Sequence, residues 1–205
     1  MKKEPATVAA VAKTPRGERT RRRILKSAEE AFGRLGFHGA GIVDITRGAG
    51  IAQGTFYCHF PSKEATLREL VRQLGRDLRR FVAERVAGSS DRLEAEERGL
   101  RAFLDFVAAN KNLYRILQEA LFVDESIYRE YYETFGTAYE RLLRQAEVRG
   151  EIAPGDSRVR AWALMGMGHF LGMRYALWQR DIPFDEVVAT AADLMRNGLA
   201  AGGER

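Results

Sequence analysis

Apolar residues recur along most of the chain at the i, i+3, i+4, i+7 spacing of amphipathic helices. The first such run starts at Glu18 and is stopped by Gly36, and a second, longer run follows Pro61 and ends before Gly88. No stretch alternates apolar and polar residues as a β-strand does, so the pattern predicts an all-α fold of about nine helices. The remaining long helices are expected over about residues 91–109, 113–122, 126–148, 157–179 and 184–199.

Between the first two long runs, closely spaced glycines separate two short helical segments. In the first segment Val43, Ile45 and Ala49 give a short helix with an inward apolar face. Gly50 supplies the tight turn that follows, and Ile51 fills the corner. The pattern therefore predicts a helix-turn-helix.

The second short helix is predicted to begin near Ala52. Phe56 and Phe60 form an i, i+4 pair, so both rings are expected to face the core. The residues that this leaves along the outer surface are Gln53, Gly54, Thr55, Tyr57 and His59.

This outward set has the chemistry needed to recognise DNA. Gln53 can present a bidentate amide to a base edge, and Thr55 can hydrogen-bond a base or a phosphate or touch a thymine methyl group. Gly54 removes a side chain where the backbone must approach the duplex. The side chains expected to donate to phosphate oxygens are Tyr57, His59 and, in the first turn of the next helix, Lys63.

The distribution of charge supports the same interpretation. Residues 1–85 carry 18 lysines and arginines against 9 acidic residues, whereas residues 86–205 carry 15 against 19. A basic module joined to a mildly acidic one suggests a head that binds a polyanion and a body with another role. A basic run at the start of the first helix lies next to the predicted DNA-facing surface, and from it we select Arg21 as a DNA-contacting candidate.

The stretch from Thr20 to Leu67 closely resembles the N-terminal DNA-binding domain of TetR-family regulators. The shared features are an early basic-Thr-Arg segment, then IL…A…F…GF, then DI…AG…GTFY.HF.SKE. The resemblance implies a three-helix, homeodomain-like head over residues 18–65, with residues 52–58 as recognition helix, and a connecting helix over residues 66–87 that transmits ligand-driven movement. By the same resemblance, the positions that commonly meet DNA are Thr20, Thr46, Gln53, Thr55, Tyr57, His59 and Lys63.

Three positions depart from the family pattern. Gly41 stands where a Thr or Ser usually caps the second helix, and glycine supplies no side-chain acceptor. Val43 replaces a residue that is often polar or basic, which removes one expected phosphate contact. Ala52 occupies the position of the usual capping Ser of the recognition helix.

The resemblance also implies that residues 66–205 form a helical bundle that binds a ligand and dimerises. In TetR-like proteins the last two long helices pack against their copies in a second subunit, and residues 161–178 and 184–199 have suitable lengths and apolar faces. A twofold homodimer would read two half-sites of a palindromic double-stranded DNA operator. We therefore expect a repressor that a hydrophobic small molecule releases from DNA.

The middle helices are unusually aromatic, and several of the rings share one helical face. Such a stripe is often ordinary core, yet many tyrosines together suit a roomy pocket with a few polar anchors. The residues predicted to line that pocket are Phe103, Phe106, Tyr114, Tyr131, Phe135, Trp162, His169 and Tyr175.

The segment NLYRILQEALFVDESIYREYYETF resembles a TetR subgroup associated with fatty-acid or phenylacetate breakdown, whose effectors are acyl-coenzyme A thioesters. An acyl-CoA effector would need cations for its phosphates. The candidates are Arg101, Arg115, Arg129, Arg141 and Arg174, although ordinary ion pairs are the simpler explanation for each of them.

Enzymes and effector-free helical proteins are the two alternative classes of function. An enzyme would need an assembled site, but Cys58 and His59 point about 100° apart on a helix, and the three histidines lack metal-ligand spacing, so we predict no catalytic residue, metal or cofactor. A helical DNA-binding or adaptor protein without a small-molecule effector stays open. It would have the same fold without the ligand-driven switch.

Composition also bears on the N-terminal segment, on membrane insertion and on the cellular compartment. Residues 1–17 are polar and are predicted to form a flexible basic arm. The apolar run over residues 161–178 is interrupted by His169 and Arg174, which argues against a membrane span. A single cysteine, Cys58, agrees with a reducing cytoplasm.

Overall fold

The computed structural model of the protein describes residues 14–179 and 181–197. Within these ranges the regular structure consists of nine helices and no β-strand, so the predicted all-α fold is confirmed. The helices are α1 (Pro15–Gly39), α2 (Ile42–Ala49), α3 (Gln53–Tyr57), α4 (Lys63–Val86), α5 (Arg92–Ala109), α6 (Lys111–Val123), α7 (Glu125–Val148), α8 (Ser157–Leu171, continued by a π-helical segment Gly172–Trp178) and α9 (Phe184–Asn197).

The described chain divides into two compact units. The first contains the residues up to Leu74 together with Asn112–Tyr131, and the second contains Gly75–Lys111 together with the residues from Tyr132 onward. The first unit therefore holds α1 to α3, the first half of α4, nearly all of α6 and the start of α7. The helix-turn-helix predicted from the sequence shares its unit with α6, a segment that the sequence analysis assigned to the C-terminal body.

Helix α1 begins earlier and ends later than the sequence pattern predicted. Thr14 caps its first turn, because the Thr14 hydroxyl accepts a hydrogen bond from the Gly17 amide at 3.0 Å, and Pro15 occupies the first helical position. Residues 15–17 are therefore helical rather than part of the predicted arm, whose remaining residues 1–13 lie outside the described part of the chain. Gly36 interrupts α1 with φ 71°, but helical structure resumes and continues to Gly39.

Helix α2 packs across α1 and buries Ile45 and Ala49 as predicted. Val43 does not join that inward face, because its side chain is 52% exposed. Gly41 provides no side-chain cap for the first turn of α2, as its residue type predicted. Asp44, the third residue of the helix, supplies the reciprocal half of a capping box, because its carboxylate accepts a hydrogen bond from the Gly41 amide at 2.9 Å.

The second unit is built on α5, which packs against α9 and against the π-helical end of α8. A Cβ added to Gly172 would lie 2.9 Å from the ring of Phe103, so only glycine allows this ring to approach the α8 backbone so closely. The carboxylate of Glu96 is buried and accepts hydrogen bonds from Arg92 at 2.6 Å and from the Tyr139 hydroxyl. Burial, followed by the charge of Glu96, raises the pKa of Tyr139, so this hydroxyl stays a donor.

The last two helices begin where the sequence pattern predicted, with one change of geometry. Helix α8 begins at Ser157, and its end is π-helical from Gly172 to Trp178, a conformation that the period of the sequence did not reveal. Helix α9 is described to Asn197, so the predicted continuation to residue 199 lies outside the described residues. No helix among the described residues is both long enough and apolar enough to cross a membrane.

The crossing of α1 and α2 leaves no room for a side chain at Gly48. The Ser27 hydroxyl lies at this crossing and donates to the Ile45 carbonyl at 2.7 Å, and a Cβ on Gly48 would overlap with that hydroxyl oxygen. In an unobstructed helix Gly→Ala stabilises by about 0.5–1 kcal/mol. We expect Gly48→Ala to lower the free energy of unfolding instead, by about 1–3 kcal/mol, as overpacking does.

Urea denaturation measures this effect. The double variant Ser27→Ala/Gly48→Ala should lose less free energy than the two single changes together, because it removes the overlapping oxygen. Gly54→Ala is the matched control, since a Cβ on Gly54 would meet no atom within 4 Å. A Gly48→Ala protein as stable as the Gly54→Ala protein would contradict the prediction.

Candidate nucleic-acid interface

The recognition-helix candidate α3 is a short helix with one buried edge and one exposed edge. Phe56 and Phe60 are buried with ring centroids 6.0 Å apart, as the i, i+4 spacing predicted. On the other edge Gln53 and Gly54 are exposed, Tyr57 is 48% exposed and Thr55 is half-buried. The separation of aromatic and polar residues is therefore the one expected of a helix that inserts into a groove.

The backbone around α3 explains how it is held. Gly50 ends α2 with φ 59°, a left-handed conformation that favours glycine, and this makes the tight turn predicted from the sequence. Ala52 begins α3 without a side-chain hydrogen bond, as its position in the family pattern suggested. Arg23 reaches from α1 to the turn and donates to the carbonyls of Ala49 and Gly50.

His59 is not on the outer surface, which corrects the sequence-based prediction. Its side chain is only 5% exposed, and its Nδ1 atom is buried without a hydrogen-bond partner among the described residues. Desolvation, followed by the nearby charge of Arg21, lowers the pKa of His59 and favours the neutral imidazole. The prediction erred because His59 follows the C-cap residue of α3, where a helical projection from Gln53 no longer applies.

Thr46 and Lys63 are also used inside the head. Thr46 is buried, and its hydroxyl donates to the Val43 carbonyl at 3.1 Å. The Lys63 ammonium donates to the carbonyls of Phe37 at 2.7 Å and Ala40 at 2.8 Å, where α1 ends. These contacts show structural roles that the sequence motif did not reveal, while a DNA contact at either residue stays a prediction.

The candidates on α1 lie beside the same surface. The Thr20 hydroxyl is half-buried and donates to the Arg16 carbonyl at 3.1 Å. Arg21 pairs with Glu69 at 3.4 Å and lies over the Phe60 ring at 4.7 Å from its centroid. Arg47 on α2 has a 75% exposed side chain, and the sequence analysis did not select it because it forms no part of the recognised motif.

Most of the first three helices lies in the part of the sequence that matches a known protein family. Residues 24–70 match the family described as bacterial regulatory proteins, tetR family. The head of the chain is therefore similar to the DNA-binding domain of TetR-family regulators. The match begins within α1 and ends within α4, so it contains the complete helix-turn-helix.

A known transcriptional regulator also aligns with about a quarter of this chain. The chain is 44% identical over 54 residues to the HTH-type transcriptional regulator UidR of Escherichia coli (strain K12). This alignment covers 26% of the chain and 28% of UidR, so the chain matches less than a third of that relative's length.

Solved structures show that the TetR fold extends through the C-terminal helices. The transcriptional regulator FadR from Bacillus subtilis, in complex with stearoyl-CoA, superimposes with a TM-score of 0.76 at 19% identity, covering 87% of this chain and 99% of FadR. AibR, in complex with isovaleryl coenzyme A and operator DNA, gives 0.65 at 21% identity, covering 86% of this chain and 97% of AibR. At these identities the similarity is one of fold.

The aromatic residues that were predicted to line an effector pocket are divided between the two compact units. Tyr114 and Tyr131 are buried in the first unit. Trp162 corrects the prediction, because its side chain is 47% exposed on α8 rather than enclosed. The other members of the set, all buried or half-buried in the second unit, are Phe103, Phe106, Phe135, His169 and Tyr175.

Within the second unit, the predicted pocket residue His169 has a polar partner, Tyr132, that the sequence did not reveal. The Tyr132 hydroxyl and His169 Nδ1 are hydrogen-bonded at 2.9 Å. Burial lowers the pKa of His169, which favours the neutral imidazole at neutral pH. Tyr131 and Tyr132 were both compatible with the aromatic face of α7, and only Tyr131 was selected for the pocket. The partner of Tyr132 on α8 is 37 residues away in the sequence, so helical spacing could not identify it.

The arginines proposed as phosphate-binding cations have local partners or lie on the surface. Arg101 pairs with Asp105 at 3.1 Å and with Asp185, and Arg174 pairs with Asp181 at 2.6 Å. Ordinary ion pairs therefore account for these two residues, as the sequence analysis considered. The exposed members of the set are Arg115, Arg129 and Arg141.

Proposed function

We propose that this protein is a ligand-responsive transcriptional repressor of the TetR family that binds a palindromic DNA operator as a homodimer and is released by a hydrophobic small molecule. The observation that carries the proposal is the two-sided helix α3. Its buried Phe56 holds the helix in the head, and its exposed Gln53, Gly54 and Tyr57 form a polar edge free of bulky apolar side chains. A base edge in the major groove presents the donors and acceptors that an exposed glutamine amide matches.

Exposed cations in the same compact unit as α3 support DNA as the partner. Arg22 and Lys26 on α1 and Arg47 on α2 are exposed. They belong to the N-terminal part of the chain, in which basic residues outnumber acidic ones two to one. Positive charge on the same unit as α3 attracts the phosphate backbone without regard to sequence, while the polar edge of α3 supplies the selectivity.

Helix α8 supports the homodimer. Val159, Trp162 and Phe170 are exposed apolar residues that follow one another at helical spacing, and Gly166 lies between them. A Cβ on Gly166 would meet no atom within 4 Å, so this stretch of backbone is open to close approach. A contiguous apolar face on a soluble regulator is typical of a protein interface, and an isologous twofold contact would bury it against its own copy.

An acyl-CoA is the effector class that we propose. The support comes from two solved structures of the same fold, which contain stearoyl-CoA and isovaleryl coenzyme A. It comes also from the second unit, which holds both the aromatic rings of α5 and the hydrogen-bonded Tyr132–His169 pair. An acyl-CoA has a thioester carbonyl that a polar side chain can bind and an acyl chain that packs against apolar side chains.

DNA binding is tested with fragments selected from a randomised duplex library. We expect affinity to fall steeply and linearly on logarithmic axes as salt rises, because bound phosphates release counterions. Gln53→Ala should relax the preference for the selected sequence by about 1–3 kcal/mol. Gln73→Ala, an exposed glutamine on α4, is the matched control and should keep the wild-type preference. Fluorescence anisotropy gives both quantities, and a flat salt dependence would refute the DNA-binding proposal.

Dimerisation is tested on two exposed phenylalanines. Phe170→Asp places a charge on the α8 face and should convert a dimer of the 23.1 kDa chain into a monomer, because a buried unpaired charge opposes association. Phe122→Asp, at an 83% exposed side chain on α6, should leave the dimer intact. Analytical ultracentrifugation separates the two species. A Phe170→Asp protein that stays dimeric would place the interface elsewhere.

The effector class is tested by thermal shift. A series of acyl-CoAs from isovaleryl-CoA to stearoyl-CoA should raise the melting temperature, corresponding to about 2.7 kcal/mol at one hundred times Kd. The same compounds should lower the affinity for DNA, because a ligand shifts an equilibrium only by its differential affinity for the two states. Free coenzyme A is the control. If no chain length changes the melting temperature, acyl-CoAs are excluded as effectors.

A further inference from the structure

Helix α1 is broken at Gly36, and the break exposes a backbone donor. Gly36 has φ 71° and ψ 163°, so the amide that follows it points away from the helix axis. The Phe37 N–H donates instead to the carboxylate of Glu119 on α6, with Phe37 N and Glu119 Oε2 2.6 Å apart. A charged acceptor at this distance is a strong partner for a single amide.

The carbonyl of the same residue is held from the other side. Lys63, in the first turn of α4, donates to the Phe37 carbonyl at 2.7 Å and to the Ala40 carbonyl at 2.8 Å. Its ammonium also lies 4.3 Å from the centroid of the Phe37 ring. Both polar atoms of Phe37 are therefore bound by charged side chains from two different helices.

This residue lies just before the helix-turn-helix. Three residues after Phe37, Ala40 is buried, and Gly41 then caps α2, whose turn leads directly into α3. The direction in which the chain leaves α1 at Phe37 therefore determines where α2 and α3 begin. A carboxylate that fixes the Phe37 amide fixes that direction.

Helix α6 meets α1 at a second point one helical turn earlier. A Cβ added to Gly33 would lie 2.9 Å from Asn112 Cγ, so the first turn of α6 rests directly on the α1 backbone. The Gly36 and Glu119 contact lies at the other end of α6, where a Cβ on Gly36 would be 3.4 Å from Glu119 Oε1. Two side chains of α6, Asn112 and Glu119, therefore pack against α1 at Gly33 and Gly36, and α6 supports the head at both points.

We propose that Glu119 is a positioning residue for DNA binding, acting outside the helix-turn-helix by holding the Phe37 amide and through it the start of α2. This inference rests on the proposed DNA-binding function. Lys63 of α4 and Glu119 of α6 thus hold the backbone of Phe37 from two different helices. Because Glu119 does not face the duplex, its loss weakens binding to all sequences and leaves base preference unchanged.

The test compares three variants at Glu119. Glu119→Ala removes the acceptor and should weaken binding to the selected duplex about tenfold, the factor that corresponds to one net hydrogen bond. Glu119→Gln keeps an amide oxygen at the same reach and should restore affinity to within about twofold. Glu119→Asp is one methylene shorter and should bind more weakly than Glu119→Gln, and this conservative change keeps the test usable if the alanine variant does not fold.

A loss of stability alone is separated by a control on the same helix. Ala120 is buried next to Glu119, and Ala120→Gly should lower the melting temperature without removing the carboxylate. We expect this variant to retain DNA affinity, whereas Glu119→Ala loses affinity and exchanges its Phe37 amide proton faster in hydrogen-exchange measurements. Equal DNA affinity of wild type and Glu119→Ala, or equal losses in Glu119→Ala and Ala120→Gly at matched stability, would overturn the inference.

The outcome also distinguishes this inference from the proposed function. A wild-type protein that binds no duplex defeats both. A wild-type protein that binds with steep salt dependence, together with unchanged binding by Glu119→Ala, defeats only the role of Glu119. Altered base preference in Glu119→Ala would also defeat that role, because it would indicate a direct contact with DNA.

Discussion

The burial of Phe56 and Phe60 is the interaction on which the candidate DNA-binding surface depends. Helix α3 has five residues, far fewer than the roughly 12–15 that an isolated helix needs to be even marginally stable in water. It also lacks a side-chain cap at Ala52. The free energy that holds it therefore comes from the two buried rings, at about 1.5–3 kcal/mol for each fully buried apolar side chain. The polar edge is positioned only because the aromatic edge is fixed.

Backbone amides and carbonyls near the helix ends need hydrogen-bond partners, and charged side chains provide them. Arg23 binds the carbonyls of the α2–α3 turn, Lys63 binds those at the end of α1, and Glu119 binds the amide at the break in α1. Backbone polar groups without a helical partner are costly to leave unpaired in a protein interior. Part of the positive charge of the N-terminal region therefore stabilises the head, and the cations left for phosphates are fewer than the sequence count suggests.

The second unit uses apolar surface in two ways. Close contact between Phe103 and the glycines of α8 builds a core in which aromatic rings rest directly on backbone. By contrast, the apolar side chains of Val159, Trp162 and Phe170 on α8 are exposed and do not contribute to this core. An almost continuous apolar helix can serve both purposes, because one side packs within the chain and the other remains available to a partner. Trp162 belongs to the exposed side, although its residue type and its position in an apolar run suggested an enclosed one.

The sequence alone determined the helices, the turn at Gly50 and the orientation of the Phe56/Phe60 pair, because helical period, glycine conformation and i, i+4 spacing are local properties. It identified Gln53, Gly54 and Tyr57 as exposed for the same reason. It did not determine the burial of His59 and Thr46, the exposure of Val43, or the use of Lys63 by the carbonyls of α1. Those outcomes depend on which helix lies against each side chain. The contact between Glu119 and Phe37 joins residues 82 positions apart, and no local period encodes such a pairing. Only the tertiary structure brings a carboxylate of α6 to the Phe37 amide at the break in α1.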